Sequence, residues 1–170
     1  MFALLNLTEG DAVSQVIWTA ITLLTASVIP IVVVQYYSVK SGNTDGDVYN
    51  KEDRAKPLIC GVLSYILGIV LLYATDAPHI TTVMMISYAI STVLLTLIST
   101  RWKMSIHATG VTGPAISLSL TYPPWGYIVF ILVPIVAWSR YVRRKHTPLQ
   151  LIGGTIYGLV LTSAVLWALL

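Results

Sequence analysis

Charged side chains are scarce in this sequence, where Asp, Glu, Lys and Arg together make up 10% of the 170 residues. Ordinary globular domains carry about 25%. Hydrophobic residues reach 56%, and the mean hydropathy is +0.78. So little charge leaves no segment from which a separate soluble domain could form. The composition therefore predicts an integral membrane protein.

Cysteine and N-terminal basic residues are also nearly absent. The single cysteine, Cys60, can form no intramolecular disulfide, and we interpret it as a small packing residue. Residues 1–11 contain Glu9 and Asp11 but no Lys or Arg, so we expect no cleaved signal peptide. No pattern typical of DNA or RNA binding is present, and we expect no nucleic-acid partner despite the net charge of +3.

Six apolar runs are candidate membrane spans, because about 20 apolar residues cross a hydrocarbon layer of ~30 Å. Their bounds are 12–39, 57–75, 80–99, 107–122, 125–138 and 147–170. Pro57 and Pro148 suit the first turn of a helix, and the group Gly153, Gly154 and Gly158 suits a close helix contact. The fourth run is short and rich in Gly, Ser and Thr, which favours a helix buried in the bundle. The predicted fold is an all-α bundle of six transmembrane helices forming one domain over residues 1–170.

Positive charge is confined to one predicted membrane face. With six spans, the polar breaks at 40–56, 100–107 and 139–150 share a face, and they contain all ten Lys and Arg residues. The positive-inside rule then predicts that this face is cytoplasmic and that both termini lie outside. Three convergent loops of this kind predict an anion-binding site at one interface of the cell membrane.

The densest group of polar side chains is Ser139 and Arg140, then five residues, His146, and Gln150. His146 and Gln150 are about one helical turn apart and share a helix face. Arginine binds phosphate oxygens through paired hydrogen bonds without losing its charge. A neutral imidazole nearby can attack phosphorus. This spacing predicts a phosphate site rather than a basic loop alone.

These residues resemble the motifs of the type 2 phosphatidic acid phosphatase family, a group of six-helix membrane lipid phosphatases. The third family motif is S-R-x5-H, followed four residues later by Asp or Gln, and residues 139–150 match it. The second motif, commonly P-S-G-H, corresponds to residues 104–107, which keep Ser105 and His107 but have Met104 and Ile106 at the other two positions. The sequence H-T-x-x-Q is most similar to the isoprenoid diphosphate branch, which includes dolichyl diphosphatase.

The first family motif, K-x6-R-P, corresponds only loosely to KEDRAKP at residues 51–57. That segment supplies Lys51, Arg54 and Lys56, but its arginine is not followed by proline and has Asp47 seven residues before it. The resemblance assigns Arg54 to phosphate binding and leaves open whether Lys51 or Lys56 provides the second cation.

The resemblance implies metal-independent hydrolysis of a lipid phosphate or diphosphate, without a cofactor, through a phosphohistidine. His146 would be the nucleophile, Gln150 would orient its imidazole through the amide oxygen, and His107 would be the general acid. The other residues would bind phosphate oxygens: Arg140, Arg54, Lys51, Lys56, Ser105 and the backbone of Ile106. The oligomeric state and the lipid tail stay open.

Two other functions stay open. A membrane prenyltransferase would hold Mg²⁺ and diphosphate with acidic residues, and the first loop offers Asp45, Asp47, Glu52 and Asp53. The break at 100–106, however, contains no acidic residue. Alternatively, a scaffold or small transporter would use the cationic face only to bind anionic lipids. We assign His79 to the membrane interface. The remaining cations of the third loop contact lipid headgroups and set the orientation of the protein in the membrane in this interpretation: Arg143, Arg144 and Lys145.

Overall fold

The computed structural model describes residues 1–40 and 51–170, with side chains from residue 56 onward in the second range. Every regular element in these ranges is helical, which confirms the all-α prediction. A short helix, Phe2–Leu5, and a 3-10 turn, Asn6–Thr8, come first. Six long helices follow: α1 (Ala12–Lys40), α2 (Lys51–Ala74), α3 (His79–Ser99), α4 (Ile106–Thr121), α5 (Trp125–Val142) and α6 (Pro148–Leu169).

Five of these helices are long and apolar enough to cross a membrane, whereas six spans were predicted. The exception is α4, whose 16 residues rise only ~24 Å. The side chain of Ser105 caps its first turn by accepting the Ala108 N–H, and Pro123 and Pro124 follow its end. These residues fix both ends of the helix and keep it short.

Helix α2 begins at Lys51, so residues 51–56 are helical and do not belong to the preceding loop as predicted. Pro57 therefore lies inside the helix, and its predicted place in the first turn is wrong. The residues before it explain the difference, because Lys, Glu, Arg and Ala have high helix propensities. For Pro148 the prediction is confirmed, since it occupies the first turn of α6.

The chain forms two compact units. The N-terminal unit comprises Phe2–Thr96, with α1, α2 and most of α3. The C-terminal unit comprises Leu97–Leu170 together with Met1, and contains α4, α5 and α6. The assignment of residues 1–170 to one domain stays a prediction.

In the N-terminal unit, α1 is interrupted by a π-helical turn at Leu24–Val28. Pro30 follows this turn closely, and a proline has no N–H to donate to the carbonyl four residues earlier. Loss of that hydrogen bond favours a local change of helical pitch. Pro30 therefore accounts for the π-helical interruption of α1.

The core of the N-terminal unit includes Trp18, Leu72 and Met85. The indole N–H of Trp18 donates to the carbonyl oxygen of Thr75 at 2.9 Å. A buried tryptophan needs such a partner, because leaving its N–H without a hydrogen bond is costly. This bond joins α1 to the end of α2.

In the C-terminal unit, α4 and α6 run parallel. The N–H of Ser105 donates to the Gln150 carbonyl at 3.3 Å, and one turn later the Thr109 hydroxyl donates to the Gly154 carbonyl at 3.0 Å. Contacts that advance together along two helices indicate a parallel pair, so both helices begin at the same end of the unit. Helix α5 connects their opposite ends and therefore runs antiparallel to them.

Glycines allow α4 and α6 to approach closely. A Cβ atom at Gly154 would lie 2.6 Å from the Ser105 carbonyl oxygen, and one at Gly158 would lie 2.8 Å from the Thr109 carbonyl oxygen. Both contacts are with backbone, which cannot rotate away. The predicted close-packing role of these glycines is confirmed. Helix α4 is also the buried helix that its composition predicts.

Candidate anion-binding site

Most of the predicted site residues lie at one end of the C-terminal unit, which we call the basic end. Helices α4 and α6 begin there and α5 finishes there, so the second and third motifs meet although they are distant in sequence. The predicted site residues at this end are Ser105, Ile106, His107, Arg140, His146 and Gln150.

The residues of the first motif belong to the N-terminal unit. Lys56 is exposed on α2. The side chains of Lys51 and Arg54 lie outside the described residues, as do the acidic side chains of the first loop that the prenyltransferase hypothesis requires. Phosphate binding by Lys51, Arg54 and Lys56 stays a prediction.

A tight turn explains the five-residue spacing between Arg140 and His146. Helix α5 ends with the hydrogen-bond pattern of a Schellman motif: the Arg144 N–H donates to the Tyr141 carbonyl at 2.9 Å, and the Lys145 N–H donates to the Arg140 carbonyl at 3.1 Å. Arg144 has a φ of +53°, in the left-handed region that this motif requires and that glycine usually occupies. The turn reverses the chain directly between the two predicted site residues.

His146 is held between this turn and the first turn of α6. It is half-buried, and its Nδ1 atom is buried. Thr147 and Gln150 form a capping box, in which the Gln150 N–H donates to the Thr147 hydroxyl at 3.4 Å and the Thr147 N–H donates to Gln150 Oε1 at 3.1 Å. The amide oxygen of Gln150, which was predicted to orient the His146 imidazole, thus accepts the backbone N–H of Thr147 instead. Direct orientation of the ring by Gln150 stays a prediction.

Ser105 connects the two motifs. It is fully buried and caps α4, with its hydroxyl oxygen accepting the Ala108 N–H at 3.3 Å. Its own N–H donates to the Gln150 carbonyl. These bonds fix the start of α4 against the start of α6. Phosphate binding by the Ser105 hydroxyl stays a prediction, and the observed contacts define a structural role for this residue.

Ile106 and His107 form the first turn of α4, and both side chains are exposed. The first N–H groups of a helix have no partner within that helix and favour an anion. The backbone donor role predicted for Ile106 is compatible with this position. His107 lies at the same end of the unit as His146, and its role as a general acid stays a prediction.

The charge of the basic end has no acidic counterpart within its own unit. Residues 97–170 contain no Asp or Glu. All six cations of this stretch lie at the basic end: Arg101, Lys103, Arg140, Arg143, Arg144 and Lys145. Anions that balance this charge must therefore come from outside the C-terminal unit. This excess of positive charge favours binding of phosphate groups.

Two residues of the site were not anticipated from the sequence. The ring of Trp102 packs directly over Gly153. This contact holds the 100–105 loop against α6. The hydroxyl of Thr109 bonds to the Gly154 carbonyl and holds the next turn of α4 in place. The glycine pair at 153–154 is the sequence feature that could have revealed both contacts, since each glycine leaves space for a neighbour.

No protein-family model matches the chain, and no curated protein or solved structure is significantly similar to it. Its described residues form an all-α fold in which five helices are long and apolar enough to cross a membrane, and its C-terminal unit carries the basic end. Among the described residues, no group of three or more His, Cys, Asp or Glu side chains is placed to hold a metal ion.

Proposed function

We propose that the protein is a membrane-embedded lipid phosphatase that hydrolyses a lipid phosphate or diphosphate at the basic end. The observation that carries this proposal is that His107, Arg140 and His146 lie at the same end of a unit whose residues 97–170 contain no Asp or Glu. Helices that can cross a membrane make a lipid the natural carrier of the phosphate.

Arg140 is the principal phosphate ligand in this proposal. It is half-buried in the last turn of α5, and the Schellman turn attaches its carbonyl to the chain leading to His146. A half-buried guanidinium binds phosphate oxygens more strongly than an exposed one, because water screens the interaction less. The backbone N–H groups that begin α4 add neutral donors. Phosphoryl transfer relies on such fixed positive groups around the equatorial oxygens.

The proposed chemistry proceeds in two steps. Nε2 of neutral His146 attacks the terminal phosphorus, and the bond from phosphorus to the leaving oxygen breaks as His107 donates a proton to that oxygen. Water then attacks the phosphohistidine while His107 accepts its proton. The P–N bond breaks, inorganic phosphate leaves, and both imidazoles return to their starting states. Burial of Nδ1 is consistent with attack through Nε2.

An isoprenoid diphosphate is the substrate that this proposal favours, because the H-T-x-x-Q sequence of residues 146–150 is most similar to that branch of the family. The prenyltransferase alternative needs carboxylates to hold Mg²⁺, and residues 97–170 supply none. A protein that only binds anionic lipids would not hydrolyse them, so measuring hydrolytic turnover distinguishes that alternative from a phosphatase.

Phosphate release by the purified protein in detergent tests the proposal. The substrates are short and long isoprenyl diphosphates, phosphatidate and phosphatidylglycerophosphate, each with excess EDTA. We expect release from at least one lipid to persist in EDTA, because side-chain cations and backbone donors stabilise the transferring group. Activity only with Mg²⁺ would favour a prenyltransferase, and no release from any lipid would favour the scaffold or transporter.

The His107→Ala variant should lose more activity on lipid monophosphates than on lipid diphosphates. A diphosphate releases a phosphate leaving group, which needs less protonation than the alkoxide leaving group of a monoester. Comparing kcat for a matched monophosphate and diphosphate with the same tail measures this difference. Equal losses on both substrates would contradict the assignment of His107 as the acid.

The proposal also includes membrane topology, with both termini outside and the basic end at the cytoplasmic face of the cell membrane. It counts α4 as a sixth crossing element, because α4 runs parallel to α6 despite its length. Single cysteines at Ser41 and His79, in a Cys60→Ala background, test the topology by labelling intact cells with an impermeant thiol reagent. We expect labelling at position 79 and protection at position 41. The reverse pattern would place the site outside.

A further inference from the structure

An apolar groove of about 340 Å³ lies between α5 and α6. Its walls include Pro134, Ala137, Trp138 and Tyr141 from α5, and Pro148 and Ile152 from α6. None of these residues carries a charge, so the groove suits hydrocarbon.

The groove begins at the basic end. Tyr141 directly follows Arg140, and Pro148 lies two residues after His146. From Tyr141 the α5 wall continues along one helix face to Pro134, a distance of ~10 Å at 1.5 Å per residue. The groove therefore leads from the proposed phosphate site along α5, which carries Arg140, and along α6, which begins two residues after His146.

We propose that this groove binds the hydrocarbon tail of the lipid phosphate over the segment nearest the headgroup. The inference rests on the proposed function and adds the part of the protein that recognises the tail. The order of groups along the protein matches the order along such a lipid: cations first, then the amphipathic rings of Trp138 and Tyr141, then aliphatic side chains. Aromatic rings of this kind favour the boundary between headgroups and hydrocarbon.

The groove is open along one side. Trp138 is 68% exposed and Ile152 is 55% exposed, so a tail can enter sideways from the bilayer without leaving hydrocarbon. Only the first ~10 Å of the tail would contact the walls. Structure near the phosphate should therefore affect turnover, and chain length beyond the groove should not.

The test fills the groove and compares two substrates. Ala137→Phe and Ile152→Trp place bulk in the groove, while Ile135→Phe adds bulk on α5 at a residue outside the groove lining with the same 55% exposure as Ile152. For a long isoprenyl diphosphate we expect kcat/KM to fall roughly tenfold in the groove variants, the size of effect that steric changes in hydrophobic pockets produce. A diphosphate with one isoprene unit should lose much less, and Ile135→Phe should match wild type on both. Equal losses on the long and short substrates, or an equal loss in Ile135→Phe, would overturn the inference.

A binding experiment separates failure of this inference from failure of the proposed function. A long isoprenyl diphosphate with a diazirine next to its first isoprene unit is photolysed with the wild-type protein, and the crosslinked peptides are identified. We expect crosslinks to α5 and α6 that excess unlabelled long isoprenyl diphosphate abolishes and that Ala137→Phe reduces. Such crosslinks without any phosphate release would support the groove and contradict the phosphatase. Crosslinks confined to other helices would overturn the groove.

Discussion

The His146→Ala variant is expected to release no phosphate from any lipid phosphate or diphosphate while remaining folded in detergent. In the proposed mechanism His146 forms the covalent bond to phosphorus, and no other side chain at the basic end is assigned that role. The substitution keeps the neighbouring capping box of Thr147 and Gln150, so α6 should still begin at Pro148. Phosphate release, together with size-exclusion and thermal-melting profiles, measures both parts of this prediction.

Two control variants make the result specific to this residue. His79→Ala removes a histidine from the N-terminal unit, and Arg143→Ala removes an exposed cation from the turn before His146. Both should retain most of the wild-type activity, because neither residue is assigned a role in the chemistry and five of the six cations of the basic end remain in Arg143→Ala. If His146→Ala keeps more than a few per cent of wild-type turnover, His146 is not the nucleophile.

The Gly158→Ala variant is expected to lower the melting temperature strongly and to reduce activity. The new Cβ would lie 2.8 Å from the Thr109 carbonyl oxygen and would also collide with the Thr112 hydroxyl. Backbone must move to relieve this contact, and overpacking of this kind costs about 1–3 kcal/mol. Because the same helix pair positions Ser105 against Gln150, the displacement should disturb the basic end as well.

The matched control for this prediction is Gly110→Ala in α4. Among the described residues, nothing lies within 4 Å of a Cβ at Gly110. Alanine is favoured over glycine in a helix by about 1 kcal/mol, so this variant should melt at or above the wild-type temperature. Equal melting temperatures for Gly158→Ala and Gly110→Ala would contradict the close contact between α4 and α6.

Much of the fold could be predicted from the sequence, because long apolar runs and their polar breaks determine where helices form. The exact residues at which a helix begins and ends were harder to predict, because they depend on the preferences of a few single residues. The segment before Pro57 was assigned to a loop, but its helix-forming residues extend α2 back to Lys51. Residues 107–122 were predicted to form a span, but Ser105 and the Pro123-Pro124 pair limit α4 to 16 residues, so crossing by α4 stays a prediction.

The candidate site could be predicted only as a set of residues. The motif spacing identifies Arg140 and His146, but the turn between them depends on Arg144 in a left-handed conformation that its residue type does not indicate. Similarly, in the capping box the Gln150 amide oxygen accepts the Thr147 N–H. The four-residue spacing between His146 and Gln150 does not reveal that Thr147 competes with the imidazole for this oxygen. Contacts between distant segments, such as the bond from Thr109 to Gly154, require the packed structure.

Trapping of the covalent intermediate tests whether His146 is the nucleophile. The protein is mixed in EDTA with an isoprenyl diphosphate carrying ³²P in its terminal phosphate, quenched within milliseconds at alkaline pH, and digested for mass spectrometry. We expect a phosphoryl group on His146 that forms before inorganic phosphate appears, disappears as phosphate is released, and is absent from His146→Ala. Phosphate release at the full wild-type rate without any label on His146 would contradict this expectation.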